Sequence, residues 1–194
     1  MRRADFCQLP PGGSLWALPR QCVLGGIFII NVRKMVLAGI FAALIGICAW
    51  LALPIPPVSF TMQTFGVLLT LGILGGKWGT VSIFLYLAMG MIGLPVFSGF
   101  RGGAAALLDP AGGFLWGFLL AGLAYRLLER LGKLPAMTAA LLVAYACGCL
   151  WFTLWAGVPW YTALLTCVVP YLLPDALKLW MAYTLSKRIG KYIR

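Results

Sequence analysis

The sequence predicts an all-α integral membrane protein, and three observations support this fold class. Of its 194 residues, 62% are hydrophobic and only 10% are charged, whereas ordinary soluble domains carry about 25% charged residues. The mean hydropathy is +0.98. The apolar residues also fall into six long stretches that are separated by glycine, proline and basic residues. Four acidic and fifteen basic side chains are too few to cover a soluble domain of this size. The composition therefore excludes a soluble enzyme, a disordered regulator and a nucleic-acid-binding protein.

Each apolar stretch is predicted to form one membrane-spanning helix, because about 17–25 apolar residues cross a bilayer. The predicted spans are residues 36–53, 61–75, 79–93, 112–131, 136–156 and 160–185. The first span ends at the segment Pro54 to Pro57, whose three prolines cannot continue a helix. The second span is short, so it either crosses a thinned bilayer or enters the membrane only in part.

The basic residues predict the orientation of these helices. If six helices alternate, one side of the membrane holds ten Lys and Arg residues and the other side holds only Arg101. The ten are Arg33, Lys34, Lys77, Arg126, Arg130, Lys133, Lys187, Arg188, Lys191 and Arg194. Cytoplasmic loops carry such an excess of positive charge, so both termini are predicted to lie in the cytoplasm. This asymmetry also accounts for the net charge of +11 without a nucleic-acid partner.

The first 34 residues do not fit this pattern. Their apolar run, residues 23–30, is too short to span a bilayer, and no small-residue cleavage site of a signal peptide follows it. Met35 begins a segment that would itself be a sensible start. We therefore expect residues 1–34 to be a dispensable extension and residues 35–194 to form the six-helix domain.

Two ionisable residues, Asp175 and Lys178, lie inside the sixth apolar stretch. A charge at membrane depth costs about 2.5–3.5 kcal/mol even on the lenient insertion scale. At positions i and i+3 of a helix the two share a face and can pair. One interpretation is an ion pair that only holds the helices together. Because a buried pair rarely stabilises more than apolar residues would, we favour a binding site.

Three further polar residues are candidates for a binding site. Arg101 lies alone on the predicted outer side among glycines, where a guanidinium can bind a carboxylate bidentately or anchor the loop at the interface. Gln63 opens the second predicted helix, where its side chain faces a cavity or the segment serves only to cap the helix. Tyr86 lies among apolar residues of the third helix, where a buried hydroxyl needs a hydrogen-bond partner.

Small residues recur every four positions in the first helix, at Ala38, Ala42 and Gly46. Such a stripe permits close approach of another helix. Docking onto another membrane subunit and packing within the same bundle both explain it.

The residues that are absent limit the chemistry. No lysine is followed by the Ser or Thr of a phosphate-binding loop, so we expect no ATP hydrolysis by this chain. The sequence contains no histidine and no clustered metal ligands, so we expect no metal and no cofactor. An intramembrane enzyme would have to use Asp175 and Lys178 for all its chemistry. A structural subunit of a membrane assembly is a third possibility.

Five motifs occur in order along the chain: residues 63–68 (QTFGVL), 90–97 (GMIGLPVF), 101–103 (RGG), 110–114 (PAGGF) and 175–178 (DALK). Over about residues 35–190 the chain closely resembles the BioY family, the biotin-binding substrate subunits of energy-coupling factor transporters. The resemblance implies a six-helix, multi-pass subunit of the bacterial plasma membrane that captures biotin near the outer face for uptake. It also implies docking on a transmembrane coupling subunit that two cytoplasmic ATPases drive. A related subunit for another small vitamin is the alternative.

The resemblance also implies roles for individual residues. Asp175 and Lys178 match the family's Asp-x-x-Lys pair, in which the acid would accept from the ureido N–H groups and the lysine would donate to the ureido carbonyl. Arg101 would then be free to bind the carboxylate tail. From their own positions in the sequence, Gln63 and Tyr86 are predicted as further contacts. The segment that holds Ala38 and Ala42 is similar to the family's docking motif. Two loops, 54–57 and 99–103, would be lids over the site.

Overall fold

The computed structural model describes the backbone of residues 20–53 and 60–193 and the side chains of residues 32–53 and 60–191. The described chain divides into two units with the boundary after Leu37, and all contacts described below lie within the second. The long elements of the described residues are all helices: α1 Arg20–Trp50, α2 Gln63–Met91, α3 Gly112–Leu128, α4 Lys133–Ala156, α5 Trp160–Cys167 and α6 Val169–Ile193. Two short strands, β1 Ala52–Leu53 and β2 Phe60–Thr61, pair antiparallel between α1 and α2. The all-α fold class is confirmed.

The described helices have the properties of membrane-spanning segments. Residues 32–50, α2 and α4 are long and apolar enough to cross a bilayer, and α5 together with α6 would make a fourth such segment. Large apolar side chains are exposed on their outer faces, for example Leu127, Leu154 and Leu173. Such surfaces are stable where lipid rather than water surrounds the helices. The chain is therefore a membrane protein.

Helix α2 is a hairpin of two arms. At Gly75 the backbone has φ 79° and ψ 173°, a conformation that is essentially restricted to glycine. Gln63 and Tyr86 would be about 35 Å apart along a straight helix, yet their side chains are joined by a hydrogen bond of 3.1 Å. A Cβ atom on Gly79 would lie only 3.1 Å from the Cα of Leu71. Residues 63–74 and 76–91 are therefore antiparallel arms, at the positions predicted for the second and third helices.

Glu129 stabilises the turn of this hairpin. Its Oε2 accepts a hydrogen bond of 2.8 Å from the backbone N–H of Gly76, which begins the second arm. The N–H groups of a first helical turn have no partner within the helix, and a carboxylate there also complements the helix dipole. Glu129 opens the 3-10 turn Glu129–Leu131 that follows α3, so this contact joins α3 to the α2 hairpin.

The sixth predicted span is two helices in the structure. Helices α5 and α6 meet at Val168 with a bend of 47°. Pro170 explains the break, since it lacks the N–H that a continuous helix would need and is tolerated in the first turn of a new helix. Asp175 and Lys178 both lie in α6, the longer of the two helices. Asp175 is the seventh residue of α6, close to the bend.

Helix α1 differs from its predicted bounds at its start. The sequence predicted a helix from residue 36, whereas α1 begins at Arg20 and continues without a break to Trp50. No proline interrupts residues 20–50, so nothing in the local sequence ends a helix there. The predicted lid at Pro54 to Pro57 lies outside the described residues.

Candidate functional site

A single cavity brings together most of the polar residues that the sequence singled out. The space between its lining residues is about 720 Å³, which includes open solvent at its mouth. Its polar lining consists of Thr61, Gln63, Thr64, Ser98, Arg101, Tyr145, Asp175 and Lys178. Its aromatic lining consists of Phe97, Phe114, Phe118 and Tyr171.

Asp175 and Lys178 form a buried ion pair in this cavity. Each residue is only 4% exposed, and Lys178 Nζ lies 2.7 Å from Asp175 Oδ1. The second carboxylate oxygen, Oδ2, accepts a hydrogen bond of 2.6 Å from the hydroxyl of Tyr145 on α4. Both oxygens of the acid therefore have a donor, which offsets the large penalty of burying a charge.

Lys178 also fastens the β1–β2 hairpin to α6. Its ammonium donates a hydrogen bond of 2.7 Å to the backbone carbonyl of Thr61. It also lies 3.9 Å from the centroid of the Phe60 ring, within the range of a cation–π interaction. The Phe60 ring in turn stacks on Tyr171, with 6.2 Å between ring centroids. One lysine thus links an acid, a backbone carbonyl and an aromatic pair at the edge of the cavity.

Gln63 and Tyr86 differ in their position relative to the cavity. Gln63 lines the cavity, as expected, and its Nε2 donates to the hydroxyl of Tyr86. Tyr86 is fully buried, is not part of the cavity lining, and donates 3.3 Å to the carbonyl of Val96. The structure therefore places Tyr86 behind Gln63, outside the cavity lining and bonded to the amide. The sequence could not show this, because the contact joins two arms whose pairing only the hairpin turn creates.

Arg101 lines the cavity but is not free. Its Nη1 forms an ion pair with Asp109 Oδ2, and its Nε donates 3.3 Å to the carbonyl of Ser98. An antiparallel bridge between Phe97 and Arg101 closes the loop that carries it. The sequence analysis did not identify this partner, because Asp109 lies eight residues farther along the chain, beyond a 3-10 turn over residues 104–107. Only the folded loop brings the two together.

The loop that carries Arg101 is tied to the end of α1. Trp50 Nε1 donates 2.8 Å to the carbonyl of Pro95, and the Trp50 ring lies 5.2 Å from that of Phe100. Phe100 has a φ of 57°, which is unusual for a bulky residue, so these contacts hold a strained turn in place. Trp50 thus has a specific contact with this loop.

The small residues of α1 point into the bundle. Ala38 is 0% and Ala42 is 1% exposed, and a Cβ atom on Gly46 would lie 3.5 Å from Val96. Of the two interpretations of this stripe, packing within the bundle accounts for all three residues. Docking through Ala38, Ala42 and Gly46 is therefore corrected, since a partner helix could reach them only if the bundle opened.

The family model for the BioY family matches residues 21–194. This chain belongs to the BioY family. It is 36% identical over 165 residues to a protein of Thermotoga maritima named "Biotin transporter BioY", covering 82% of this chain and 97% of that protein. It is 34% identical over 162 residues to a Pyrococcus horikoshii protein named "Probable biotin transporter BioY", covering 82% and 98% of the two chains.

A solved structure is also similar to this BioY family member. A crystal structure of the S-component for biotin from an ECF-type ABC transporter superposes with a TM-score of 0.77 and 28% sequence identity. The match covers 83% of this chain and 92% of the other. The helical arrangement described above is therefore that of a transporter substrate subunit.

Sequence reasoning missed two residues of the site, Tyr145 and Asp109. Tyr145 carries the one hydroxyl in the apolar run of residues 139–152 of α4. Nothing in its spacing links it to Asp175, thirty residues away. Asp109 is one of only four acidic residues in the chain, which was a signal that it has a specific role. Because acids are scarce in this sequence, each is a candidate partner for an isolated basic residue such as Arg101.

Proposed function

We propose that this chain binds biotin from the outer side of the membrane and, with a partner module, translocates it inward. The observation that carries the proposal is one cavity that holds both a buried Asp175–Lys178 pair and Arg101. Membership of the BioY family and the names of its relatives supply the identity of the ligand. The chain then acts in transport rather than catalysis.

The chemistry of biotin fits these residues. Its ureido ring offers two N–H donors and one carbonyl, and its tail ends in a carboxylate. Asp175 is proposed to accept from the ring, and Lys178 is proposed to donate to the ring carbonyl. The Gln63 amide, oriented by Tyr86, is a further partner for the ring, and Arg101 is proposed to bind the tail carboxylate. The aromatic lining supplies apolar contact for the thioether ring and the aliphatic chain.

Calorimetric titration of the purified full-length protein with biotin tests this proposal. We expect saturable one-site binding that an excess of an unrelated vitamin does not displace. Stronger binding of another small vitamin than of biotin would replace the ligand and keep the transport class. Absence of binding to any vitamin, with product formed from a lipid or amide substrate, would favour the intramembrane enzyme instead.

We propose six membrane crossings with both termini in the cytoplasm of a bacterial cell. The two arms of α2 provide two crossings, α1, α3 and α4 provide three, and the bent α5–α6 pair provides the sixth. The ten basic residues that this arrangement places on one side support the orientation. Reporter fusions at the C-terminus and in the loop at residue 108 test it. The first should report a cytoplasmic position and the second an outer one.

We propose that a transmembrane coupling subunit and two ATPases drive uptake. The similar solved structure is described as part of an ECF-type ABC transporter, and this chain has no phosphate-binding loop of its own. The face of α1 opposite the buried stripe is exposed and carries small and apolar residues, namely Gly39, Ile40, Ala43 and Ile47. This face is proposed as the contact for a helix of the coupling subunit.

Substitution of one small residue on this face tests the contact. Ala43→Leu should leave biotin binding by the purified protein unchanged, while biotin uptake by cells falls. Ala146→Leu, on an exposed position of α4, is the matched control and should change neither. Equal uptake by both variants would contradict docking through α1.

A further inference from the structure

The proposed function does not explain the position of the Asp109 carboxylate beside the cavity residue Arg101. It is paired with Arg101, the residue proposed to bind the carboxylate of the ligand. The two side chains are partly exposed, 50% for Arg101 and 38% for Asp109, so a ligand can reach the pair. Biotin and Asp109 therefore present the same chemical group to the same guanidinium.

Both members of this pair are held by the surrounding backbone. The Asp109 carbonyl accepts hydrogen bonds from Trp151 Nε1 on α4, at 3.0 Å, and from the Gly112 N–H at the start of α3, at 2.8 Å. Arg101 is held by its bridge to Phe97 and by its bond to the Ser98 carbonyl. Because the backbone on both sides is fixed, little further ordering is needed for the two side chains to meet.

The Arg101–Asp109 pair also affects the net charge of the site that a ligand enters. The charged side chains in the cavity lining are Arg101, Asp175 and Lys178. Asp175 neutralises Lys178, and Asp109 neutralises Arg101. An anionic ligand thus enters a site whose cations are already paired. Its carboxylate gains the full attraction of Arg101 only when the Asp109 carboxylate no longer pairs with that guanidinium.

We propose that Asp109 is a specificity-determining residue, whose carboxylate competes with the carboxylate of the ligand for the Arg101 guanidinium. The competition lowers the preference of the site for the free acid over an uncharged ester or amide of biotin. Biotin derivatives with a neutral tail are therefore accepted with a smaller loss of affinity than a site with an unpaired arginine would impose. The inference rests on the proposed function, because it takes Arg101 to be the partner of the tail carboxylate.

The test compares biotin with biotin methyl ester, by titration calorimetry on the full-length wild type and on Asp109→Asn. Asparagine keeps the shape of the side chain and removes its charge. Partly exposed ion pairs are weak, so we expect biotin to bind about fivefold more tightly to the variant. The ester should bind both proteins equally. Added salt should weaken biotin binding more in the variant than in the wild type, because the ligand then meets an uncompensated cation.

Glu129→Gln is the charge-matched control, since Glu129 bonds the turn of the α2 hairpin and does not line the cavity. It should leave the affinity for both ligands unchanged. The inference is overturned if Asp109→Asn does not tighten biotin binding, if the ester follows biotin, or if Glu129→Gln has the same effect. If the wild type binds neither ligand, the proposed function itself has failed, and that outcome differs from every one in which biotin binds.

Discussion

At the scale of single residues, the buried acid of α6 is surrounded by donors. Tyr145 and Lys178 each donate to one oxygen of Asp175, and Lys178 is bonded in addition to the Thr61 carbonyl. A buried pair with this many partners is stable without a ligand, and its oxygens keep lone pairs for a further donor. The arrangement suits a polar, uncharged ring that both accepts and donates hydrogen bonds.

Removing either charge of this pair should weaken biotin binding. Asp175→Asn and Lys178→Met each remove a charge-assisted hydrogen bond, which contributes about 1.5–3 kcal/mol, so we expect a ten- to hundredfold rise in Kd. Calorimetry measures the effect, and the melting temperature in detergent shows whether each variant is folded. A folded variant that binds biotin as well as the wild type would contradict the assignment.

The hydroxyl of Tyr145 should contribute to affinity by holding the Asp175 carboxylate. Tyr145→Phe removes this hydroxyl and little else, so we expect Kd to rise about tenfold, the effect of losing one hydrogen bond to a charged group. Tyr161→Phe, at an exposed position of α5, is the matched control and should leave Kd unchanged. Identical Kd values for the two variants would show that Asp175 keeps its orientation without Tyr145.

At the scale of elements, the turn of the α2 hairpin decides which residues meet. It brings Gln63 against Tyr86, and through Glu129 it is joined to the end of α3. The chain can reverse direction between the two arms within so few residues only where the backbone adopts a conformation that is unfavourable for residues with a Cβ atom. Gly75 provides that conformation.

A side chain at Gly75 should destabilise the fold. Gly75→Ala places a Cβ atom in a backbone region that costs about 1–3 kcal/mol for other residues, so the free energy of unfolding should fall by that amount. Gly39→Ala is the matched control, because Gly39 is helical and a Cβ atom there meets nothing within 4 Å. Thermal unfolding in detergent should show a lower Tm for the first variant and an equal or higher Tm for the second. The reverse order would contradict the structure of the turn.

At the scale of the whole molecule, most of the candidate polar residues line one cavity, while large apolar side chains are exposed on the outside. The helices that form this cavity all lie within residues 38–194, which form one compact unit. Residues 1–34 contribute no described side chain to it. We therefore propose that biotin binding does not require them.

Truncation tests this proposal directly. A protein that begins at Met35 should bind biotin with the affinity of the full chain, because every lining residue of the cavity is retained. A protein that begins at residue 51 is the control, because it also loses Ala38, Phe41 and Ile45, which are buried in the bundle. The control should bind no biotin. Weakened binding by the shorter truncation would show that the N-terminal segment has a role in the site.

Much of this protein was predictable from local features of its sequence. Apolar stretches of membrane-spanning length predicted the all-α membrane fold. A continuous apolar helix is stable in lipid, whichever helices it packs against. Asp175, Lys178, Gln63 and Arg101 were found because a polar or charged residue in apolar surroundings is costly and so indicates a role. The family resemblance rested on short motifs in a fixed order, which the family match confirms.

The tertiary structure alone decided how those residues are paired. Asp109 reaches Arg101, Tyr145 reaches Asp175, and Tyr86 stands behind Gln63 only because folded loops and a hairpin bring distant positions together. It also decided that Ala38 and Ala42 face inward, since periodicity defines a face of a helix but not what lies against it. Burial and charge follow from each residue's own chemistry, whereas a contact is a property of two positions and exists only once the chain between them has folded.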